Sequence, residues 1–512
     1  MQIPEDDSVR LLRYCIGGMD ISSLERTYQR IDRNSASPRQ MLAILVYAGM
    51  NRIFSSRQIE TACRRDINFM YLLEGKPAPD YATIARFRSK HLAPCTKELF
   101  AQMDFLLLKF GVINLDSIFI DGTKIESVAN KYKFVWKKTV RKNQAKLQAK
   151  LPDFVAKVNK DFGLNAYCAS TTKLHQLKKL RKRMRKVLRQ QNVVFVYGRG
   201  KHKTVLQRDF ETLDGYIKRL KDYAWKLHIC GSRNSFAKTD TDATFMRMKE
   251  DAMRNGQLKP AYNVQYGIDS EFVTWATVGP QPSDMTTLKP FLQDLEDHLH
   301  TSYHNVVADA GYESEENYTY LEQNQQSAYI KPNNYEASKT RKWRKDIGRF
   351  ESMTYLPEQD AYECANHKRL KLVKTYNSKT KTGYVSEKSL YACEDCKDCP
   401  LKKQCIHGNH WKKPEDERYK HLTVSRKFIR QRQDDLDRIK TKKGVLLRLN
   451  RAIQSEGTFA DVKADLSFRR FLCKGNANVL VESMLLAMSH NMLKLHQKNT
   501  GWSHLSAPHG CG

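Results

Sequence analysis

The sequence is short of three things: bilayer-length apolar runs, acidic residues and internal repeats. Its longest apolar run near the start, "MLAILVYAGM" (41–50), falls well below the about 20 residues a membrane-spanning helix needs. The opening "MQIPEDDSVR" is acidic and lacks the apolar segment of a signal peptide. The expectation is therefore a soluble, intracellular, cytoplasmic protein with no membrane partner. Acids number 56 against 88 Lys and Arg, which leaves +32 and a pI near 9.6. A charge of that size repels itself unless a polyanion is the normal partner, so nucleic acid comes first. An anionic membrane comes second, because the basic residues are spread over several segments and do not flank one apolar anchor.

With 40% hydrophobic and 10% aromatic residues the chain is globular, and 512 residues suffice for two to four domains. Of the 12 cysteines, eight are scattered as buried thiols of a reducing compartment would be. Residues 1 to about 110 read as helical, with Asp80 as an N-cap before "YATIARFRSKHL". Short helices around "NRIFSSRQ", with Arg57, Arg64 and Arg65 nearby, fit a helix-turn-helix-like DNA binder or a plain bundle with a solvated basic face. Between Lys173 and Arg189 lie nine Lys/Arg and no acid, while Leu177, Leu180, Met184 and Leu188 recur at helical spacing. A helical hairpin or short coiled coil lying along phosphates suits this pattern, with a solvated helix as the alternative; Lys178, Lys179, Arg181, Lys182 and Arg183 are its candidate DNA contacts.

From Ser117 the period changes to that of strands: "SIFIDGTKIES", then the hairpin "KPAYNVQYGIDSEFVTWATVGP" with its turn near Asp269 and Ser270, then "YHNVVADAGY" and "SAYIKP", with helices between. Asp121 and Asp309 each end an apolar strand, and each has a glycine within two residues. Both are then expected at the carboxyl end of a sheet, where open α/β folds place their sites. Two carboxylates at one edge repel unless a cation lies between them, and a divalent ion fits. A third ligand is expected from a helix crossing the strand ends, and "RLNRAIQSEGTFADVKADLSFRRFLCKGN" (448–476) offers Glu456, with Lys463, Arg469 and Arg470 beyond it. Glu126, Asp269, Asp284, Asp461 and Glu482 compete as acids.

The order of these motifs resembles the DDE transposases of bacterial insertion sequences, in the group with a helical N-terminal domain and an insertion before the final Glu. "FIDGTKIES" resembles the first-Asp motif, "DTDATFMRMK" and "AYNVQYGID" the middle strands, and "VVADAGYESEENY" the second-Asp motif. "RAIQSEGTFADVK" with "FRRFLCKG" is similar to the Glu helix and its Lys. The resemblance implies an α/β, ribonuclease-H-like mixed-sheet core in which Asp121, Asp309 and Glu456 hold two Mg²⁺ (or Mn²⁺) ions. It further implies terminal phosphates contacted by Lys463 and Arg451. One departure stands out. The family's Arg four residues before the Glu and Tyr three before that fall here on Ala452 and Leu449, with Arg451 and Arg448 one place off.

The implied organisation is an all-α DNA-binding N-terminal domain (1–110) and a core from 111–136 and 238–335. A basic helical insertion (137–237) and a Cys-containing insertion (336–440) interrupt it, helices at 441–500 complete it, and a tail follows (501–512). In the second insertion, Cys393, Cys396, Cys399 and Cys405 of "YACEDCKDCPLKKQC" are spaced for a structural Zn²⁺. An iron–sulfur cluster is the alternative, and His407, His410 or Cys364 can replace a ligand. The implied activity is metal-dependent cleavage of double-stranded DNA at transposon ends and strand transfer into target DNA, by a homodimer or larger synaptic assembly that is nucleoid-associated when bound. The alternatives are an inactive or domesticated DNA-binding protein of this fold and a non-transposing nuclease.

Overall fold

The apolar run at 41–50 forms a core helix. It occupies most of Pro38–Met50, which starts in a capping box between Ser37 and Gln40. Nearly every side chain on it is buried, and a helix apolar all round must be covered on every side. The Asn476–Lys498 helix is one cover: a Cβ at Gly49 would collide with Ser489 Oγ, and that hydroxyl donates to Val46 O at 2.9 Å. The computed structural model describes residues 3–30, 34–168, 171–248, 256–393, 395–407, 414, 417–461, 466 and 468–498. Among them no helix is long and apolar enough to cross a membrane. The chain divides into two compact units, one of residues 1–123, 263–469 and 477–512, the other of 124–262 and 470–476.

In the first unit the N-terminal residues form short helices, including Ser8–Gly18, Ser56–Arg65, Ile67–Leu73 and Tyr81–Arg86, and Asp80 caps the last by accepting from Thr83 N at 2.6 Å. They lead into a mixed sheet of β1 (Ser117–Glu126), β2 (Leu258–Asp269), β3 (Phe272–Gly279), β4 (Asn305–Ala308) and β5 (Ser327–Ile330), in the order β3-β2-β1-β4-β5. β2 and β3 form an antiparallel hairpin. Its turn puts Ser270 and Glu271 at φ 54° and 72°, the conformation that matches strand twist in a tight hairpin. β1, β4 and β5 run parallel, and the parallel connections carry helices, Leu288–Leu299 before β4 and Glu315–Gln323 before β5. Asn491 acts as a further rung on β3, accepting from Val273 N and donating to Val273 O at 2.8 Å each.

The Cys-bearing segment builds its own antiparallel sheet from β6 (Thr354–Leu356), β7 (Ala361–Glu363), β8 (Arg369–Lys379), β9 (Val385–Cys393) and β10 (His421–Val424), ordered β10-β9-β8-β7-β6. The next helix, Arg426–Lys440, falls within the 336–440 insertion drawn from sequence but packs on the Glu315–Gln323 helix and β5. Arg432 grips the fully buried Glu313 with a two-point fork, Nε to Oε1 at 2.6 Å and Nη2 to Oε2 at 2.9 Å. Nearby, the buried Asp435 accepts from Ile330 N and Tyr318 Oη at 3.1 Å each.

The second unit holds three long helices where sequence suggested a hairpin: Lys137–Phe162, Leu174–Gln190 and Val205–Cys230. Leu177, Leu180, Met184 and Leu188 enter a common core with Leu151, Val158, Leu213 and Ile217. Short strands complete the unit: Phe134–Trp136 with Ser235–Ala237, and Thr244–Arg247 against the start of β2.

Two stability tests follow from the Arg426–Lys440 helix. Arg432→Met strands a buried carboxylate and is expected to cost about 3–5 kcal/mol, read as a lowered denaturation midpoint; an unchanged midpoint contradicts the packing. Burial pushes the Asp435 carboxyl up to about 7, above its ordinary 3.8. The folded form therefore binds the proton more tightly, and this contribution is full below the ordinary value and disappears as pH rises through about 7. Asp435→Asn is expected to gain stability relative to the parent at pH 8 and not at pH 4, measured by paired thermal melts.

Candidate active site

Parallel pairing of β1 with β4 aligns Ile120 with Ala308, so Asp121 and Asp309 come next on adjacent strands. Each is the first polar group after an apolar run whose side chains are buried. Asp309 also does what a strand-ending Asp ordinarily does. Its Oδ1 accepts from Gly311 N at 2.7 Å and caps the short 3₁₀ turn Ala310–Tyr312, and the Ser314 hydroxyl then caps the following helix at Asn317 N, 3.1 Å away. Asp121 Oδ1 accepts from Gly122 N at 2.7 Å.

Against the sequence expectation Asp121 does not end its strand: β1 continues to Glu126, and only Asp309 follows a strand end. A cation approaches from the helix across the two aspartates. Arg451 reaches Asp121 Oδ2 at 3.6 Å with Nη1 and Glu456 Oε1 at 3.9 Å with Nη2. Arg451 and Glu456 are five residues apart, a spacing that an α-helix turns to different faces. Here residues Ala452–Glu456 form a π-helical turn, whose extra residue brings positions five apart into line. The one-place departure of the Arg in the sequence is thus matched by one extra residue in the helix. Glu456 remains an outer member of the group, its side chain 70% exposed against 12% for Asp121.

Of the competing acids, four are engaged elsewhere. Glu126 pairs with Lys259, Asp269 accepts from Asn114 N and Leu115 N, Asp461 pairs with Lys494 at 3.4 Å and lies 3.6 Å from His490, and Glu482 is buried on the Asn476–Lys498 helix. Asp284 is different. Its Oδ1 accepts from Asn263 Nδ2 at 2.6 Å and Gln265 Nε2 at 3.0 Å, and Gln265 Oε1 accepts from the Tyr312 hydroxyl, three residues past Asp309. Burial, then the carboxylates of Asp284, Asp121 and Asp309, push the Tyr312 phenol far above its ordinary range, so it stays a donor. Nothing in the spacing of "VGPQPSDMTT" singles out Asp284, because it follows a turn and not a strand.

The remaining expected DNA-binding residues are scattered. Lys463 lies outside the described residues and Arg469 is exposed. Arg470 is exposed and donates from Nε and Nη2 to the carbonyls of Ser127, Val128 and Ala129. On the basic helix Lys178, Lys179, Lys182 and Arg183 are exposed, while Arg181 pairs with Asp214 at 3.0 Å. Near the N-terminus Arg64 pairs with Glu60, and Arg57 stacks on Tyr81.

Cys393, Cys396, Cys399 and Cys405 line one cavity of ≈ 20 Å³, and Cys364 from the turn between β7 and β8 lines it too. All five are unbridged thiols, and burial pushes Cys393 up to about 12. Asn366 Nδ2 donates to Cys399 Sγ at 3.6 Å, whereas His407 turns away to Asp346 at 3.0 Å and His410 lies outside the described residues. Among the described residues, no three His, Cys, Asp or Glu side chains are already gathered at metal-holding geometry.

Comparison with known proteins bears on both ends of the chain. Residues 363–496 match the family model described as the transposase DDE domain, a stretch that contains Glu456 and the cysteines but neither Asp121 nor Asp309. Residues 1–90 match a transposase domain, DUF772. No curated protein and no solved structure matches the chain. The two matched segments are thus similar to transposase domains, one of them a DDE domain, and together indicate a DDE transposase of an insertion-sequence type.

Proposed function

We propose that the protein cleaves double-stranded DNA at transposon ends and joins those ends to target DNA, using Asp121, Asp309 and Glu456 on a ribonuclease-H-like core. The observation that carries this is the register-matched pair Asp121 and Asp309 on adjacent parallel strands, with Arg451 reaching both Asp121 and Glu456. DDE transposases generally use Mg²⁺ or Mn²⁺. The donor set fits such ions, because carboxylate oxygens suit hard cations and no thiol or imidazole intrudes. When bound, two such ions supply activation of the attacking oxygen and neutralisation of the leaving one in an in-line displacement. The carboxylates' own work is to hold that place, with Arg451 offsetting part of their mutual repulsion. Arg451, and Lys463 further along, then bind backbone phosphates, and the exposed cations of the Leu174–Gln190 helix hold DNA without reading sequence.

Because two transposon ends must be joined, the working form is a homodimer or larger synaptic assembly, cytoplasmic and carried on the nucleoid. The Cys-lined cavity is assigned a structural Zn²⁺ held among Cys393, Cys396, Cys399 and Cys405, with Cys364 available as a ligand. An iron–sulfur cluster is the alternative occupant.

Three results test this. Asp121→Asn, Asp309→Asn and Glu456→Gln should each abolish Mg²⁺-dependent cleavage of a labelled duplex carrying the element's ends while leaving DNA affinity close to that of the parent. Specific binding without cleavage by the parent would instead favour the inactive DNA-binding reading. Neutralising Lys178, Lys179 and Lys182 should weaken binding and flatten its salt dependence, by about 0.9 log units per decade of salt for each phosphate the helix no longer neutralises; an unchanged slope makes that helix a bystander. Purified protein should carry about one Zn²⁺ per chain, and Cys396→Ser with Cys399→Ser should lose it along with thermal stability. Iron with visible absorbance would contradict the zinc assignment.

A further inference from the structure

The glycines beside the two aspartates are clearances. A Cβ on Gly122 would collide with Gln265 Nε2 and lie 2.8 Å from Asp284 Oδ1. A Cβ on Gly311 would lie 2.9 Å from Asp309 Oδ1 and 3.6 Å from Asp284 Oδ2. Gly122 therefore gives up a side chain where Asp284 approaches, Gly311 gives one up to Asp309 itself with Asp284 Oδ2 in ordinary contact beyond, and the carboxylate of Asp284 stands between the segments that carry Asp121 and Asp309. Neither Gly122 nor Gly311 has a positive φ, so the close approach, not backbone conformation, is what demands glycine.

Asp284 is also aimed. It opens the 3₁₀ turn Asp284–Thr286 just before the Leu288–Leu299 helix. Asn263 and Gln265, two apart on β2 and therefore on one face, are 2% and 1% exposed. They tie down Oδ1 alone, at 2.6 and 3.0 Å, while the fully buried Tyr312 fixes Gln265 in turn. Among the described residues no Lys or Arg pairs with Asp284 or with Asp309, and no donor reaches Asp284 Oδ2. Asp284 is half-buried, so its second oxygen stays accessible. Here one oxygen is fastened by amides, and the other is left on the side of Asp309.

We propose that Asp284 is a further carboxylate of the centre, offering Oδ2 to the divalent cation that Asp121 and Asp309 call for, with Asn263, Gln265 and Tyr312 as its positioning residues. The inference rests on the carboxylate reading above. It differs from that reading in placing the inner acid on the turn after β3, closer to the aspartate pair than the largely exposed Glu456.

Asp284→Asn is the discriminating variant, since its Oδ1 still accepts from Asn263 and Gln265 while the charge at the second oxygen is gone. Mn²⁺ binding to the DNA-free protein, read by the loss of free-ion electron paramagnetic resonance signal, should weaken about tenfold or more in Asp284→Asn. Its melting temperature should match the parent's, and Mn²⁺-dependent cleavage should need correspondingly more metal. Asp121→Asn serves as the control for the centre itself. Abolished Mn²⁺ binding in Asp121→Asn with parent-like binding in Asp284→Asn overturns the role of Asp284 and leaves the aspartate pair standing. A parent protein that neither binds Mn²⁺ nor cleaves overturns both. A melting temperature that falls with Mn²⁺ affinity unchanged makes Asp284 a structural acid and overturns the proposal as well.

Discussion

Electrostatic repulsion between carboxylates held side by side is the constraint on which the site depends. Parallel pairing of β1 and β4 sets Asp121, inside β1, beside Asp309, just past the end of β4, and Asp284 comes up between their segments. Like charges at such spacing are unfavourable unless something positive or strongly donating is present. The chain supplies part of the answer itself: amide hydrogens of Gly122 and Gly311, side-chain amides of Asn263 and Gln265, and one guanidinium, Arg451. These groups orient the acids without fully neutralising them. The balance left over is what the proposed divalent cation would satisfy.

Arg451 shows how finely the helix across the strand ends is set. In an uninterrupted α-helix a residue five before Glu456 would point away from it, and Asp121 would lose its cation. The π turn at Ala452–Glu456 repairs the register at the cost of weaker local hydrogen bonding. The same helix follows the Arg426–Lys440 helix, whose Arg432 and Asp435 fasten it to Glu313 and Ile330 beside the second aspartate. Packing of the Cys-bearing insertion's last helix and geometry of the site are therefore parts of one arrangement.

Much of this is legible in the sequence, and the exceptions have physical reasons. The strand ending at Asp309 reads from an apolar run closed by Asp and Gly, whereas Asp121 reads as an ending but lies inside β1, because the polar residues after it alternate in a strand that runs on to Glu126. The hairpin around Ser270 reads from its β-branched and aromatic flanks. Leu177, Leu180, Met184 and Leu188 read as a buried stripe and are one, though the partner is a pair of helices and not a single one. The sheet of the Cys-bearing segment escapes notice because β8 is exposed along most of its length, so no alternation of polar and apolar residues records it. Glu313 with Arg432 joins residues more than a hundred apart, beyond the reach of any local pattern. The π turn shifts register by one residue without a compositional mark, and Asp284, in a polar turn, reads only as one of several competing acids. The carbonyls of Ser127, Val128 and Ala129 that Arg470 holds lie more than three hundred residues away and leave no local mark in the sequence.

Convergence of Asp121, Asp309 and Asp284 on a place for a divalent cation can be seen in a crystal structure of the protein grown in Mn²⁺, with anomalous scattering collected at the manganese edge. The expected result is an anomalous peak within coordinating distance of Asp121, Asp309 and Asp284 Oδ2, with Arg451 displaced toward Glu456. Strand ends without anomalous density, and with Arg451 still closed on Asp121, would contradict that convergence.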